Sequence, residues 1–192
     1  LDKWILARLD ELVYECTQKL DDYKLLEPVR ETRDFISDLS TWYLRRSRER
    51  IKGGDNEARQ TLYFVLKTLV KIMAPFAPFT AEDIWLKLKN EEDMSSVHLE
   101  KWPAKKLMIF HLFRSKVLEK METVRSIVTL GLEARQKAGI KVRQPLNKLE
   151  IIAEKLSDKY IEIIKDELNI KNVIYIIKVK IGLNKVNLDI NI

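Results

Sequence analysis

The sequence predicts a mainly α protein: an antiparallel helical bundle to about residue 140, followed by a small α+β unit. Three observations lead there. Apolar residues recur at three- and four-residue intervals over successive stretches of the first 140 residues, the period of amphipathic helices. Only 5 Gly and 5 Pro in 192 residues leave little room for a sandwich, a barrel or long irregular loops. After Gly139 the texture turns to β-branched runs, LEIIA (149–153) and NVIYIIKVKI (172–181).

The first helix carries Ile5, Leu9, Leu12, Val13, Cys16 and Leu20 on one stripe, with Asp21 and Asp22 as punctuation. Cys16 on that stripe reads as a packed small hydrophobe. A second helix starts near Pro28, whose fixed φ suits a first turn, and ends at Gly53 and Gly54. At 100° per residue, Phe35, Ile36, Leu39, Trp42 and Tyr43 share one arc with Arg46 and Arg50, while Leu44 and Arg48 point the other way. A third helix, Glu57 to Met73, repeats the pattern through Leu62, Val65, Leu66 and Leu69. APFAPF (74–79) breaks it. Thr80 with Asp83, a variant of the capping box, opens a fourth helix through Ile84, Trp85 and Leu88.

Residues 90–103 read as a polar connection with an apolar staple of Val97, Leu99 and Trp102. A long fifth helix, 106–138, places Phe113, Val117, Met121, Val124, Val128 and Leu132 along one side, and Gly139 ends it. Beyond lie the two β-branched runs, separated by a helical stretch around Ser157–Leu168. KVNLDI (185–190) alternates and follows Gly182 at the distance of a hairpin partner. The domains are therefore expected at 1–140 and 141–192.

Composition excludes more than it assigns. A single cysteine rules out an internal disulfide and a Cys-based zinc site, and fits a reducing cytoplasm. No apolar run approaches the roughly 20 residues of a membrane helix. The N-terminus has neither a signal-peptide core nor a starting Met, which suits a fragment of a longer protein. His98 and His111, the only histidines, sit apart, so no metal-ligand spacing occurs. No Gly-rich phosphate loop or hydrolase signature is present, and Glu91, Glu92 and Asp93 read as solvated acids. No catalytic or metal-binding residue is expected in this chain. Binding is the default.

The charge is informative in its distribution. Residues 45–52 carry five basic groups and one Glu; residues 133–148 carry Arg135, Lys137, Lys141, Arg143 and Lys148 against Glu133. Each segment is thus net +4, which leaves −2 for the rest of a chain of net +6. For the first segment one reading is a surface for a polyanion. The other is that Arg46 and Arg50 snorkel past the core to meet carboxylates of a neighbouring helix. For the second, a cationic helix end favoured by the macrodipole competes with a binding turn stiffened by Pro145. Trp42 and Trp85 lie within apolar stripes and read mainly as core anchors.

Six phrases in one order, LDKWILARLDEL (1–12), DLSTWYLRRSRER (38–50), MAPFAPFTAEDIW (73–85), SVHLEKWP (96–103), LGLEARQKAGIKVRQPL (130–146) and KDELNIKNV (165–173), closely resemble the anticodon-binding region of the isoleucyl-tRNA synthetase family. The resemblance covers nearly the whole chain; residues 176–192 lie outside it. It implies a class I anticodon-binding helical bundle with a small α+β appendage, and isoleucine tRNA as partner. It also implies an N-terminal catalytic domain in the same protein, which would use ATP and magnesium and carry the HIGH- and KMSKS-type signatures absent here. On that reading this chain alone is non-catalytic and cytoplasmic. Arg45, Arg46, Arg48 and Arg50 would then grip phosphates, with Trp42 holding the register. Arg135, Lys137, Lys141 and Arg143 would meet the anticodon loop, with Gln144 at a base edge. The RQPL and DELN phrases favour the isoleucine type over a valine or leucine type. A helical protein-interaction scaffold is the alternative of another class.

Overall fold

Ile5, Leu9, Leu12, Val13 and Cys16 are buried along one face of the first helix, α1 (Asp2–Asp21), as their spacing predicts. The structure, a computed structural model, describes residues 1–103, 111–151, 155–175 and 186–189. The chain forms two compact units, Leu1–Arg114 and Ser115–Ile192. Mainly α architecture with a small C-terminal α+β unit is what the sequence predicts.

In the first unit, α2 (Leu26–Asp38) runs without a break through a π-helical segment (Leu39–Leu44) into α3 (Arg45–Lys52). α4 (Asn56–Met73) and α5 (Pro78–Leu88) follow, then a single 3₁₀ turn at Val97–Leu99. α1 packs on α2 and α4, and α4 on α5. Gly54, at φ 88°, makes the reversal after α3 that a side chain would resist. Asp55 then caps α4 by accepting from the Ala58 amide at 3.1 Å.

The π segment changes which residues face inward. A regular 100° step puts Ile36 and Trp42 on the buried arc, yet Ile36 is exposed and Trp42 only half-buried. Phe35, Leu39, Tyr43 and Ser47 form the buried line instead. An α-helix drifts by about 40° every four residues; a wide turn takes up that drift and keeps a four-residue ladder facing one way. The start of α5 also differs from expectation. Pro78 occupies its first turn with Ala77 as the residue before it, so the Thr80–Asp83 pair lies inside the helix and does not cap it.

Val70, Ala74, Ala81, Trp85 and Val97 close one core cluster, with Met73 and Ile84 against it. The connection beyond α5 is tied to this cluster. Trp85 Nε1 donates to the Met94 carbonyl at 3.1 Å, and Lys71 reaches Glu100 at 2.7 Å. Glu82 accepts from both Ser96 Oγ and the Val97 amide at 2.9 Å. Asp93, read from sequence as a solvated acid, pairs instead with Lys67. Of the predicted staple, Val97 is buried, Leu99 is exposed, and Trp102 donates to Thr17 Oγ1 at 3.0 Å.

The second unit contains most of α6 (His111–Lys137), then β1 (Leu146–Ile151), α7 (Asp158–Leu168), β2 (Ile170–Tyr175) and β3 (Val186–Asp189). The sheet order is β2-β1-β3. β1 and β2 run parallel, joined through α7, with Leu149 opposite Val173. β3 runs antiparallel to β1, with Leu149 opposite Leu188. Val186–Asp189 of KVNLDI thus pairs with β1, while most of the 172–181 run expected as its hairpin partner lies outside the described residues. Residues 106–110, the Phe113 side chain, 152–153 and 176–181 lie outside the described residues. On α6, Met121, Val124, Ile127 and Val128 are buried while Leu132 is exposed.

Within the second unit α6 and α7 approach closely. At Gly131, an added Cβ would sit 2.5 Å from Leu168 Cδ1, so α6 and the end of α7 meet with no room for a side chain between them.

Candidate nucleic-acid interface

The first basic segment occupies α3. Arg45 and Arg48 are exposed, Arg46 is half-buried, and Arg45 Nε donates to the Thr41 carbonyl at 2.8 Å. Arg50 follows the second of the two readings and meets carboxylates. Its Nη1 and Nη2 hold the Asp2 carboxylate at 3.1 and 2.9 Å, and its Nε donates to Asp55 at 2.8 Å. The Tyr43 hydroxyl donates to Asp2 at 3.0 Å. Arg50 thus ties the start of α1 to the cap of α4, and its guanidinium is committed to two carboxylates. These hydrogen bonds raise the Arg50 pKa above the ordinary arginine value. Burial, helped by the neighbouring Asp2, raises that of Tyr43. The aromatic anchor of this helix is Tyr43, fully buried, rather than half-buried Trp42.

The same ion pairs set an acid limit. Burial pushes Asp2 upward, but Arg50 and Tyr43 together hold it below the usual carboxylate range. Lys67 does the same for Asp93, and Lys71 for Glu100. A carboxylate depressed in the folded state contributes stability above its unfolded pKa, and that contribution is lost as pH falls through the folded value. Thermal unfolding followed by circular dichroism should therefore show a steepening loss of stability below about pH 4. Asp2→Asn should flatten that limb; an unchanged limb would assign the acid sensitivity to other groups.

The second basic segment is organised around a residue expected on the surface. Arg135, in the last turn of α6, is 1% exposed. Its Nη1 donates to the Lys141 carbonyl at 3.1 Å, and its Nη2 to the carbonyls of Leu168 at 2.6 Å and Asn169 at 3.3 Å. Burial lowers its pKa. Such a group is out of reach of a ligand from outside, so the surface role expected for Arg135 is replaced by an internal one. Long reach explains it: a guanidinium with five donors can join a helix end, a turn and a second helix end at once.

Asn169 completes the arrangement. It ends α7 in the left-handed region, at φ 48°, a conformation Asn tolerates better than most residues. Its Nδ2 donates to the carbonyls of Val142 and Arg143, each at 3.0 Å. The Gln144 amide closes the turn onto the Lys141 carbonyl at 3.0 Å. Three consecutive carbonyls are thereby engaged by donors of this unit, while the side chains of Lys141, Val142, Arg143 and Gln144 are exposed, as is Lys137. Gly139, at φ 70°, releases the chain from α6 into this turn. Sequence reasoning missed Asn169. The available signal was an Asn directly after a helical stretch and before a β-branched run, the composition of a left-handed C-terminal cap.

Trp85 is fully buried, in agreement with an anchoring role. Among the described residues no three His, Cys, Asp or Glu side chains gather as a metal site, and no helix is long and apolar enough to cross a membrane.

Two helix-derived basic segments, each with exposed cationic side chains, are the distinctive surface features of a chain that compares clearly with known proteins. It belongs to the anticodon-binding domain family of tRNA ligases, whose sequence profile matches residues 2–153. It is 41% identical over 181 residues to the isoleucine–tRNA ligase of Clostridium novyi, and 42% identical over 181 residues to that of Clostridium acetobutylicum. It is 38% identical over 186 residues to that of Chlamydia trachomatis. In each comparison 90% of this chain is covered, and the chain spans 17% of the length of the relative.

Proposed function

We propose that this chain is the anticodon-recognising part of an isoleucine–tRNA ligase and binds isoleucine tRNA in the cytoplasm. Activation of the amino acid, with ATP and magnesium, and its transfer to the tRNA belong to a catalytic domain elsewhere in the same protein. The observation that carries the reading is the exposed, hydrogen-bonded turn Lys141–Gln144 within a chain of the anticodon-binding family. The isoleucine type is supported by the relatives, which are isoleucine–tRNA ligases of three bacteria.

In this reading Arg45 and Arg48 meet phosphates from the first half of α3, with Arg46 beside them. Arg forks pair bidentately with phosphate oxygens and position the RNA without reading it. Lys137, Lys141 and Arg143 supply the same attraction at the second segment, and Gln144 offers both a donor and an acceptor to an unstacked base.

Binding of isoleucine tRNA, valine tRNA and anticodon-substituted isoleucine tRNA, each titrated at several salt concentrations, tests this. Five phosphate contacts, by Arg45, Arg48, Lys137, Lys141 and Arg143, predict a slope of log K against log salt of about −4. Isoleucine tRNA should bind more tightly than either other RNA. No binding at low salt overturns the proposal, and equal binding of all three RNAs overturns its anticodon-reading part.

A further inference from the structure

We propose that Arg135 and Asn169 are positioning residues that preform the turn Lys141–Gln144 as an anion-facing surface for the RNA; the inference rests on the tRNA-binding reading above. Three observations carry it. Arg135 is a cation buried to 1% exposure whose hydrogen-bond partners among the described residues are all neutral carbonyls, with no carboxylate among them and with Nε unpartnered. An arginine kept inside a small unit without a counter-charge bears a desolvation cost that a hydrophobic side chain would avoid. Its hydrogen bonds go to the two backbone stretches that the turn must join, at Lys141 and at Leu168–Asn169.

The second observation is the direction of the carbonyls. Lys141, Val142 and Arg143 each give their carbonyl oxygen to a donor from Arg135 or Asn169. Carbonyl oxygens are the negative ends of the peptide dipoles. With all three engaged from within the unit, the exposed side chains of the turn are two cations and an amide beside Val142, and the cations suit phosphate oxygens.

The third is economy of geometry. The same Asn169 backbone carbonyl accepts from the Leu146 amide at 3.0 Å, so the residue that holds the turn also starts the β1–β2 register. The turn is thus held by the first residues of the sheet and by the helix end together, and its side chains emerge from a backbone that is ordered before any ligand arrives. Order established beforehand lowers the entropy lost on binding.

Asn169→Gly separates this role from simple folding, because glycine retains the left-handed backbone while removing both side-chain donors. Arg135→Lys keeps the buried charge but cannot reach three carbonyls in the same fork. Both variants, and the double variant Lys141→Ala/Arg143→Ala, would be compared with the unmodified chain for isoleucine tRNA affinity across salt, and for hydrogen exchange at the Gln144 amide. The double variant should lower the salt slope by about 1.5, since two phosphate contacts are removed. Asn169→Gly and Arg135→Lys should weaken binding about tenfold at an unchanged slope, with faster exchange at Gln144, because the contacts remain but their order is lost. Asn169→Gly with faster exchange and unaltered affinity overturns the positioning role while leaving tRNA binding intact. Failure of the unmodified chain to bind tRNA overturns both readings.

Discussion

Trp85→Ala should remove about 3–5 kcal/mol from the stability of the first unit. The indole is fully buried among Val70, Ala74, Ala81 and Val97, so its deletion opens a void that helices on either side cannot close without moving. Two further losses accompany the void. The Met94 carbonyl loses its Nε1 donor, and the ammonium groups of Lys67 and Lys71, 5.5 and 5.3 Å from the ring, lose the aromatic face they share. Both lysines keep their carboxylate partners, Asp93 and Glu100, so the 90–100 connection should loosen and not detach. Urea unfolding followed by circular dichroism at 222 nm gives the measurement. The midpoint should fall with little change in slope, and Trp85→Phe should recover most of the loss. A loss under about 1 kcal/mol would show that the cluster repacks freely around the smaller side chain, contrary to this account.

Gly131→Ala should destabilise the second unit even though alanine is the better helix former by about 1 kcal/mol. The added methyl would lie 2.5 and 2.8 Å from the two Leu168 methyl groups and 3.2 Å from its Cγ. Leu168 is fully buried, so it cannot turn aside without displacing other core atoms. Overpacking of that kind costs about 1–3 kcal/mol, which outweighs the propensity gain. Leu168→Ala alone should cost about 2–5 kcal/mol through the cavity it leaves. The informative experiment is the double-mutant cycle. In the Leu168→Ala background the methyl at 131 has space, so Gly131→Ala should become stabilising, with a coupling energy of about 2 kcal/mol. Additive effects, measured by the same unfolding titrations, would rule out the close approach of α6 and α7 as the reason for this glycine.

Much of the fold was legible because it rests on periodicity. The α1 stripe, the limits of α4 and the end of α6 at Gly139 follow from apolar spacing and helix-stop residues, and these are local properties. The errors arise where a local rule meets a longer-range one. Ile36 and Trp42 fall on the wrong face because the 100° step assumes an unbroken α-helix, and a π turn is set by packing that no spacing reveals. The pairing of Val186–Asp189 with β1 was likewise out of reach of alternation, because it joins residues about 40 positions apart in the chain.

The candidate site divides the same way. Exposed Arg45, Arg48, Lys137, Lys141, Arg143 and Gln144 could be identified by charge and turn chemistry alone. Helical phase set Arg50 apart from Arg48 but could not name its partner, and Arg135 could not be told from the exposed cations, since an arginine carries the same letter whether it meets solvent, Asp2 or three buried carbonyls. What distinguishes these arginines is the company supplied by residues 34 or 48 positions away in the chain. Asn169 escaped notice for the same reason, as its partners lie 26 and 27 residues earlier.

The π-helical segment between Leu39 and Leu44 also bears on how chain length can vary. A π turn holds one residue more than the α-helix it interrupts, so it is equivalent to a single insertion already absorbed. In α1 or α4, losing one residue would rotate everything beyond it by about 100° and turn buried positions out to water. Between Leu39 and Leu44, losing exposed Ser40 or Thr41 converts the wide turn to an ordinary one, leaving Phe35 on one side and Ser47 on the other still facing inward. The arginine-bearing half of the helix is joined to its packed half at a place where a change of length leaves its direction intact.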